Sequence, residues 1–382
     1  MGKVIIIGGG PIGLACAALL AQRAIASVVI DARPLEQART DARLLALSRG
    51  TWEILAPILG QDLPPRAPIR EVFVSSAGDF GSTRIAAADF GGADLGATVR
   101  YGDLLAALAQ VTATQPAIEV MRPMTAAEVR QRPDRVEVVL NDGSLLSADL
   151  AVHAEGSPMP HDVAAGVDAW ALLADVRLRP ADDAPDGAAY ERFTRQGPLA
   201  LLPTPNVVAG ATGRSYSLIW CMDEAEAQRR SQLGDATLVT ELQSQLGKRI
   251  GQIAAIGPRR TAALPRRMRA QVHSHRVVAV GNAAQTLHPV AGQGFNLGVR
   301  DCATLADELA HGTETMPALT GYAARRRADR AAITVLTDNL PAIFASRFEP
   351  LAIARGLGLA LLDVAPVLRR EFAQLLMFGV RR

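Results

Sequence analysis

Aromatic residues are scarce: Phe, Tyr and Trp together make up 4% of the 382 residues. Surfaces that stack nucleic-acid bases rely on such side chains. A net charge of +2 adds no strong pull on a polyanion, so no nucleic-acid partner is expected. Cysteine is scarcer still. Cys16, Cys221 and Cys302 are scattered and form no C-x-x-C, which points to reduced cytosolic thiols rather than a disulfide framework. His273-x-His275 has no carboxylate or cysteine cluster beside it, so no metal is expected there. The N-terminus lacks a basic region followed by a cleavage site, and Met1-Gly2 lacks the Ser or Thr that myristoylation needs. Neither a signal peptide nor that lipid anchor is expected. Val4 to Gln22 and Val277 to Val299 carry no charge and match a membrane span in length. Glycine and proline clusters interrupt both, so they read as buried strands joined to ligand turns. No repeat or low-complexity tract is visible. The remaining composition, 49% hydrophobic and 20% charged, is ordinary for a globular chain. Its length suggests about two domains.

Two loops carry the chemistry. Lys3 to Ile7 is a short apolar strand pattern, and Gly8-Gly9-Gly10-Pro11-Ile12-Gly13 follows as G-x-G-x-x-G. Leu14 to Arg23 reads as a helix and Ser27 to Ile30 as a second strand ending at Asp31, 18 positions past Gly13. This is the dinucleotide fingerprint in its required strand–turn–helix–strand setting. Gly8, Gly10 and Gly13 permit the tight turn, the approach of a pyrophosphate and close helix–strand packing. Asp31, with Ala32 and Arg33 after it, is placed to meet ribose hydroxyls. The second loop is Gly281-Asn282-Ala283-Ala284-Gln285-Thr286-Leu287-His288-Pro289-Val290-Ala291-Gly292-Gln293-Gly294-Phe295-Asn296. It follows a β-branched strand and leads into a helical pattern near Asn296. Its glycines bring backbone close to a ligand, and a helix N-terminus offers free N–H groups to an electron-rich group.

Together the loops resemble the flavin-dependent aromatic hydroxylases of the para-hydroxybenzoate hydroxylase superfamily, in their ubiquinone-biosynthesis branch. The form Asn282-Ala283-Ala284-Gln285-Thr286-Leu287-His288-Pro289 is similar to that of the 2-octaprenyl-6-methoxyphenol hydroxylases. Asp41-Ala42-Arg43, Gly197-Pro198, Leu202-Pro203, Trp220-Cys221 and Arg300-Asp301 extend the resemblance along nearly the whole chain. It implies FAD, NAD(P)H and O₂ acting on a prenylated phenol, with no separate NAD(P)H domain. It implies that Arg43, which reads as part of a helix-start region, contacts the flavin ribose or phosphates. Arg100 is a further candidate, with Tyr101 an alternative occupant of that place. Gly281 and Asn282 would hold the ribityl and phosphate part. Pro289 would sit by the isoalloxazine, and Gly292 to Asn296, Gln293 included, would donate N–H groups to the pyrimidine end, where reduced flavin is negative. His288 stands either as a base or as a structural hydrogen-bonding group. Glu155, in Ala154-Glu155-Gly156, occupies the place of a family Asp that reaches FAD, and is one methylene longer.

The expected fold is α/β: a Rossmann-like FAD-binding domain, an inserted β-sheet substrate domain and a helical C-terminal region. The FAD-binding segments are expected at residues 1–68, 96–168 and 259–320, the substrate strands at 69–95 and 169–258, and C-terminal helices at 321–382. A helix is expected near Ser48 to Leu59, and another from Tyr101 to Val111. A meander is expected over Glu119 to Leu140, turning at Asn141-Asp142-Gly143. Asp223 to Leu246 reads as helical. Past Thr304 the helices are expected to break at Arg325-Arg326-Arg327, Pro341, Pro350 and Pro366. The tail's Leu/Ala faces and arginines fit packing on the chain's own core or docking on an anionic membrane. Two other functions stand beside the hydroxylase: a weakly catalytic flavin-binding subunit of a quinone-biosynthesis complex, and a hydroxylase of another aromatic. The expected location is cytoplasmic, with peripheral contact to the inner membrane left open.

Overall fold

The computed structural model describes residues 2–380 apart from 79, 157–166, 180–183, 206–212, 248, 288–291, 313 and 346–348. The chain begins with β1 (Val4–Ile7), α1 (Pro11–Ala21), β2 (Ser27–Ile30) and α2 (Leu35–Arg39). Next come β3 (Leu44–Ser48), α3 (Arg49–Leu59), β4 (Arg66–Ile69), β5 (Glu71–Ser76) and β6 (Ser82–Ala86). They lead to β7 (Gly96–Arg100), α4 (Tyr101–Ala113), β8 (Ile118–Met121), β9 (Ala126–Gln131), β10 (Val136–Leu140), β11 (Leu145–Ala148) and β12 (Leu150–His153). The middle holds β13 (Val167–Arg179), β14 (Ala188–Phe193), β15 (Pro198–Pro203), β16 (Arg214–Met222), α5 (Glu224–Ser231), α6 (Asp235–Leu246), β17 (Gln252–Ile256) and β18 (Arg260–Pro265). Short strands β19 (Arg267–Met268), β20 (His273–Ser274), β21 (Val277–Ala279) and β22 (Gln285–Thr286) precede α7 (Gln293–His311), α8 (Thr315–Ala345), α9 (Glu349–Val364) and α10 (Pro366–Phe378).

A six-stranded sheet runs in the order β20-β21-β12-β1-β2-β8, parallel except for β20. The apolar run of β1 and Val28 to Ile30 of β2 are buried on both faces, as a parallel sheet covered on both sides requires. Strands β9 to β11 form a separate antiparallel meander. Its turn is the one expected at Asn141-Asp142-Gly143: Gly143 has φ +85° and Leu140 N–H donates to Ser144 O at 2.9 Å. The expected meander starts too early, however. Residues 118–121 form β8, which pairs in parallel with β2.

An eight-stranded sheet has the order β17-β13-β16-β15-β14-β5-β6, with β18 also on β13. It thus joins residues 71–86 to the strands of residues 167–265. One face packs Leu172, Tyr190, Tyr216 and Trp220 against Leu238 and Leu242 of α6. Residues 223–246 are two helices rather than one, because Gly234 takes extended backbone at the N-cap of α6 (φ −62°, ψ 152°). Helix α8 runs past Arg325-Arg326-Arg327 and Pro341, against the expected breaks. The arginines do not break it because arginine is a good helix former: Arg325 and Arg327 face solvent, and Arg326 is buried on an ion pair described below. Among the described residues no helix is long and apolar enough to cross a membrane.

Candidate active site

The ligand loop after β1 is built by close approach. Gly8 has φ +105°, and a Cβ there would lie 2.7 Å from Glu155 N, inside the 3.0 Å that real Cβ atoms respect. A Cβ on Gly13 would strike Gly8 O, so α1 packs directly on the loop. Pro11 occupies the first helical turn of α1, which contains no acidic residue. Its free N–H groups and positive dipole end suit a diphosphate. Asp31, at the carboxyl end of β2, accepts Gly9 N–H at 2.7 Å and Arg33 N–H at 2.8 Å.

The second loop is held from behind. Gly281 (φ +59°) donates its N–H to Asp301 Oδ2 at 3.2 Å, and Gln285 Nε2 donates to the same oxygen at 2.8 Å. Asp301 is 0% exposed and receives Arg326 Nε at 2.7 Å. Arg326 also pairs with Asp329 at 2.7 Å, as does Arg300 at 2.8 Å. Arg330 Nε donates to Gln285 Oε1 at 2.6 Å. Buried charges of this kind persist only when paired and hydrogen-bonded. Gly292 caps α7 in a left-handed conformation (φ +59°). Asn296 spends its amide on the scaffold: Oδ1 accepts Ser48 N–H at 2.9 Å, while Nδ2 donates to Ala46 O at 3.0 Å and Gly292 O at 2.9 Å.

Both loops open on one cavity of about 1180 Å³. It is lined by Gly8, Gly10, Pro11, Ile12, Asp31, Ala32, Arg33, Arg43, Glu155, Gly281, Asn282, Gly292, Gln293, Gly294, Phe295 and Asn296. Gly13 stays behind the loop as a packing residue. Pro289 and His288 lie outside the described residues. Arg43 precedes β3 rather than starting a helix; it bonds Asp41 at 2.7 Å and sits 4.7 Å over the Tyr101 ring. The Asp41 hydrogen bond raises its pKa further, keeping it charged. Arg100 is not brought to the cavity wall: it donates to Ala42 O at 2.8 Å and to Asp175 at 3.1 Å. Glu155 follows β12, and burial, then the charge of Asp31, pushes its carboxyl above the usual range.

The structure adds residues that the linear reading missed. Arg122 lies 3.7 Å from Asp31 and donates to Gly9 O. Its signal was positional: it follows a parallel strand, and ligands collect at the carboxyl ends of such strands. Tyr101, the alternative to Arg100 in the sequence, lines the cavity where Arg100 does not. On the opposite wall a cross-strand row, Val74–Glu191–Ala200–Ile219, faces inward. The alternate residue Tyr190 stacks on Phe73 toward the other core. Glu191 is the acid of that otherwise apolar row.

A family model described as an FAD binding domain matches residues 1–60 and 161–336. The ubiquinone hydroxylase UbiL of Rhodospirillum rubrum is 30% identical, over 97% of this chain and 88% of its own. The 3-demethoxyubiquinol 3-hydroxylase of Escherichia coli is 28% identical, over 97% of this chain and 96% of its own. The solved p-nitrophenol 4-monooxygenase of Pseudomonas putida shares the fold, with TM-score 0.75 at 16% identity over the whole of both chains. The two loops, the cavity they open on and these relatives agree: the chain belongs to the FAD binding domain family, and it is an FAD-dependent monooxygenase.

Proposed function

We propose that the enzyme hydroxylates the ring of a prenylated phenol in ubiquinone biosynthesis, using NAD(P)H and O₂. The observation that carries this reading is the single cavity joining the nucleotide loops to an apolar sheet face. Its residues fit FAD. Gly294 lines the cavity, and a Cβ there would meet nothing within 4 Å, so the helix end is left bare toward the space a ring system needs. Neither α1 nor α7 has an acid in its first turn. When bound, FAD would supply the redox chemistry, taking reducing equivalents from NAD(P)H and activating O₂ for hydroxylation of the ring.

The chain's own residues hold and orient. Gly10, Pro11 and Ile12 receive the diphosphate at the start of α1. Asp31, with Ala32 and Arg33 beside it, meets the ribose, and Arg43 adds a fixed cation. Gly281 and Asn282 border the ribityl chain, while Gly292 to Asn296 donate N–H groups where negative charge develops. Pro289 and His288 belong to the same loop. Val74, Ala200 and Ile219 exclude water from the ring. Glu191 is placed to accept the phenolic O–H, which leaves a more electron-rich ring. Segments 1–68, 96–168 and 259–320 act as the flavin half, 69–95 and 169–258 as the substrate half, and 321–382 as the cover. Relatives named as ubiquinone hydroxylases support the substrate class, and such a lipid substrate supports a cytoplasmic enzyme meeting the inner membrane or a quinone-biosynthesis complex.

The test is NAD(P)H oxidation by the flavin-loaded protein with a prenylphenol added, followed by mass spectrometry of the product. Stimulated oxidation and a gain of one oxygen atom are expected. Flavin binding with neither response would favour the assembly-subunit function instead.

A further inference from the structure

The end of α10 is tied to two distant parts of the chain. Ser48 Oγ donates to Met377 O at 2.8 Å while it caps α3. The approach is close: a Cβ on Gly50 would lie 2.6 Å from Met377 O and 2.7 Å from the Phe378 ring. Further on, Val380 N–H donates to Asp329 Oδ1 at 3.1 Å. Between these ties Gly379 turns the backbone at φ +75°. A Cβ there would lie 2.5 Å from Asp329 Oδ1 and 2.9 Å from Arg300 Nε. Glycine is required twice over, by the left-handed backbone and by the buried ion pair that it crosses.

Both ties lead to the second ligand loop. Ser48 donates its own N–H to Asn296 Oδ1, and Asn296 Nδ2 holds Gly292 O at the start of α7. Asp329 shares Arg326 with Asp301, and Asp301 accepts from Gly281 N–H and Gln285 Nε2. Residues 377–380 thus reach both ends of that loop through short hydrogen-bonded chains. The intervening Asn296, Asp301, Arg326 and Asp329 are buried, so water does not stand in for a lost partner and the members depend on one another.

Resting on the placement of FAD proposed above, we infer that residues 377–380 are a strap that positions the second flavin loop. Gly379 and Val380 act on the loop through Asp329, and Met377 acts through Ser48. A detached strap leaves Asp329 without one donor and Ser48 without its acceptor, and the loop loses its backing at both ends. Docking of the strap and binding of FAD then favour each other by one common factor, because coupling between two sites is reciprocal.

The test is amide hydrogen exchange on the full chain with and without FAD, beside an FAD titration read by flavin fluorescence. Exchange reports local opening. In the wild type, FAD should slow exchange over residues 375–380 about tenfold, an ordinary size for coupling between sites. Two variants detach the strap without touching the cavity. Gly379→Ala puts a methyl against Asp329. Val380→Pro removes the N–H that Asp329 accepts and adds nothing at the ion pair. Melting of the flavin-free variants is checked first. Both should exchange fast over residues 375–380, exchange faster than the wild type over 281–287, and bind FAD about tenfold more weakly. Variants that leave 375–380 as slow as in the wild type, or a detached strap with wild-type exchange over 281–287, would overturn the inference. Should neither variant fold, the wild type decides: protection of 375–380 by FAD upholds the strap, and its absence overturns it. Faster exchange over 281–287 with undiminished FAD affinity would uphold the strap and sink the placement of FAD on that loop.

Discussion

Gly294→Ala separates holding the flavin from holding the fold. The added methyl meets no atom within 4 Å and points into space bordering the cavity. In the free protein it removes glycine from the first turn of α7, a gain of up to about 1 kcal/mol. Melting of the flavin-free variant should therefore match the wild type or rise by about 2 °C. In the loaded protein the methyl occupies room needed by the ring system. Because small misplacements at such sites are costly, a tenfold loss of FAD affinity is a modest expectation, about 1.4 kcal/mol. At free FAD equal to 100 times the wild-type dissociation constant, bound FAD stabilises the wild type by about 2.7 kcal/mol and the variant by only about 1.4 kcal/mol. The assay is thermal melting with and without FAD, beside a direct FAD titration. A variant that keeps the full FAD-dependent shift would show that the start of α7 does not face the flavin.

Gly8→Ala should fail in both forms: a φ of +105° and a Cβ 2.7 Å from Glu155 N together cost about 2–6 kcal/mol, and denaturant unfolding showing under 1 kcal/mol would contradict this. Arg326→Met should cost about 3–5 kcal/mol, because Asp301 is left charged and buried, and should lower FAD content through Gly281; unfolding free energy and flavin absorbance check both. Glu155 titrates above its ordinary 4.5 in the fold, so the native state binds the extra proton and stability falls as pH rises through that window. Glu155→Gln should thus raise the melting temperature of the flavin-free protein at pH 7, with the gain shrinking toward pH 4.5; a gain that is flat with pH would refute the assigned burial. Glu191→Gln should lower kcat/KM for the phenol at least about tenfold with FAD binding unchanged, whereas an unchanged kcat/KM would remove Glu191 from proton transfer.

The nucleotide loop was legible because its constraints are local. Gly8, Gly10, Gly13 and Asp31 act within one βαβ unit, where short-range geometry and spacing decide the conformation. The second loop was legible for the same reason: glycines and a helix start declare themselves in sequence. So were α3, with its Ser48 cap, α4, with its amphipathic spacing, and the hairpin at Asn141-Asp142-Gly143, because these signals are contiguous in the chain.

What acts across distance was not legible. Arg325-Arg326-Arg327 looked like a break because the counter-charges of Arg326, Asp301 and Asp329, meet it only after α7 and α8 pack. Arg100 looked like a flavin contact until Asp175 of the distant β13 took it. Arg122 meets Asp31 only through the pairing of β2 with β8. Glu191 faces the cavity through its register with Val74 and Ala200, and the period-2 alternation of a strand does not say which face is the inner one. The cavity gathers residues from elements far apart in the chain, Ile7 of β1, Ala189 of β14, Phe295 of α7 and Phe372 of α10 among them. Sequence determined where the glycine loops and the helix starts behind them lie, since that follows from local chain stiffness and glycine. Only the tertiary structure decided which charges are paired and where the cavity leads, because burial and long-range pairing exist only once the elements have packed.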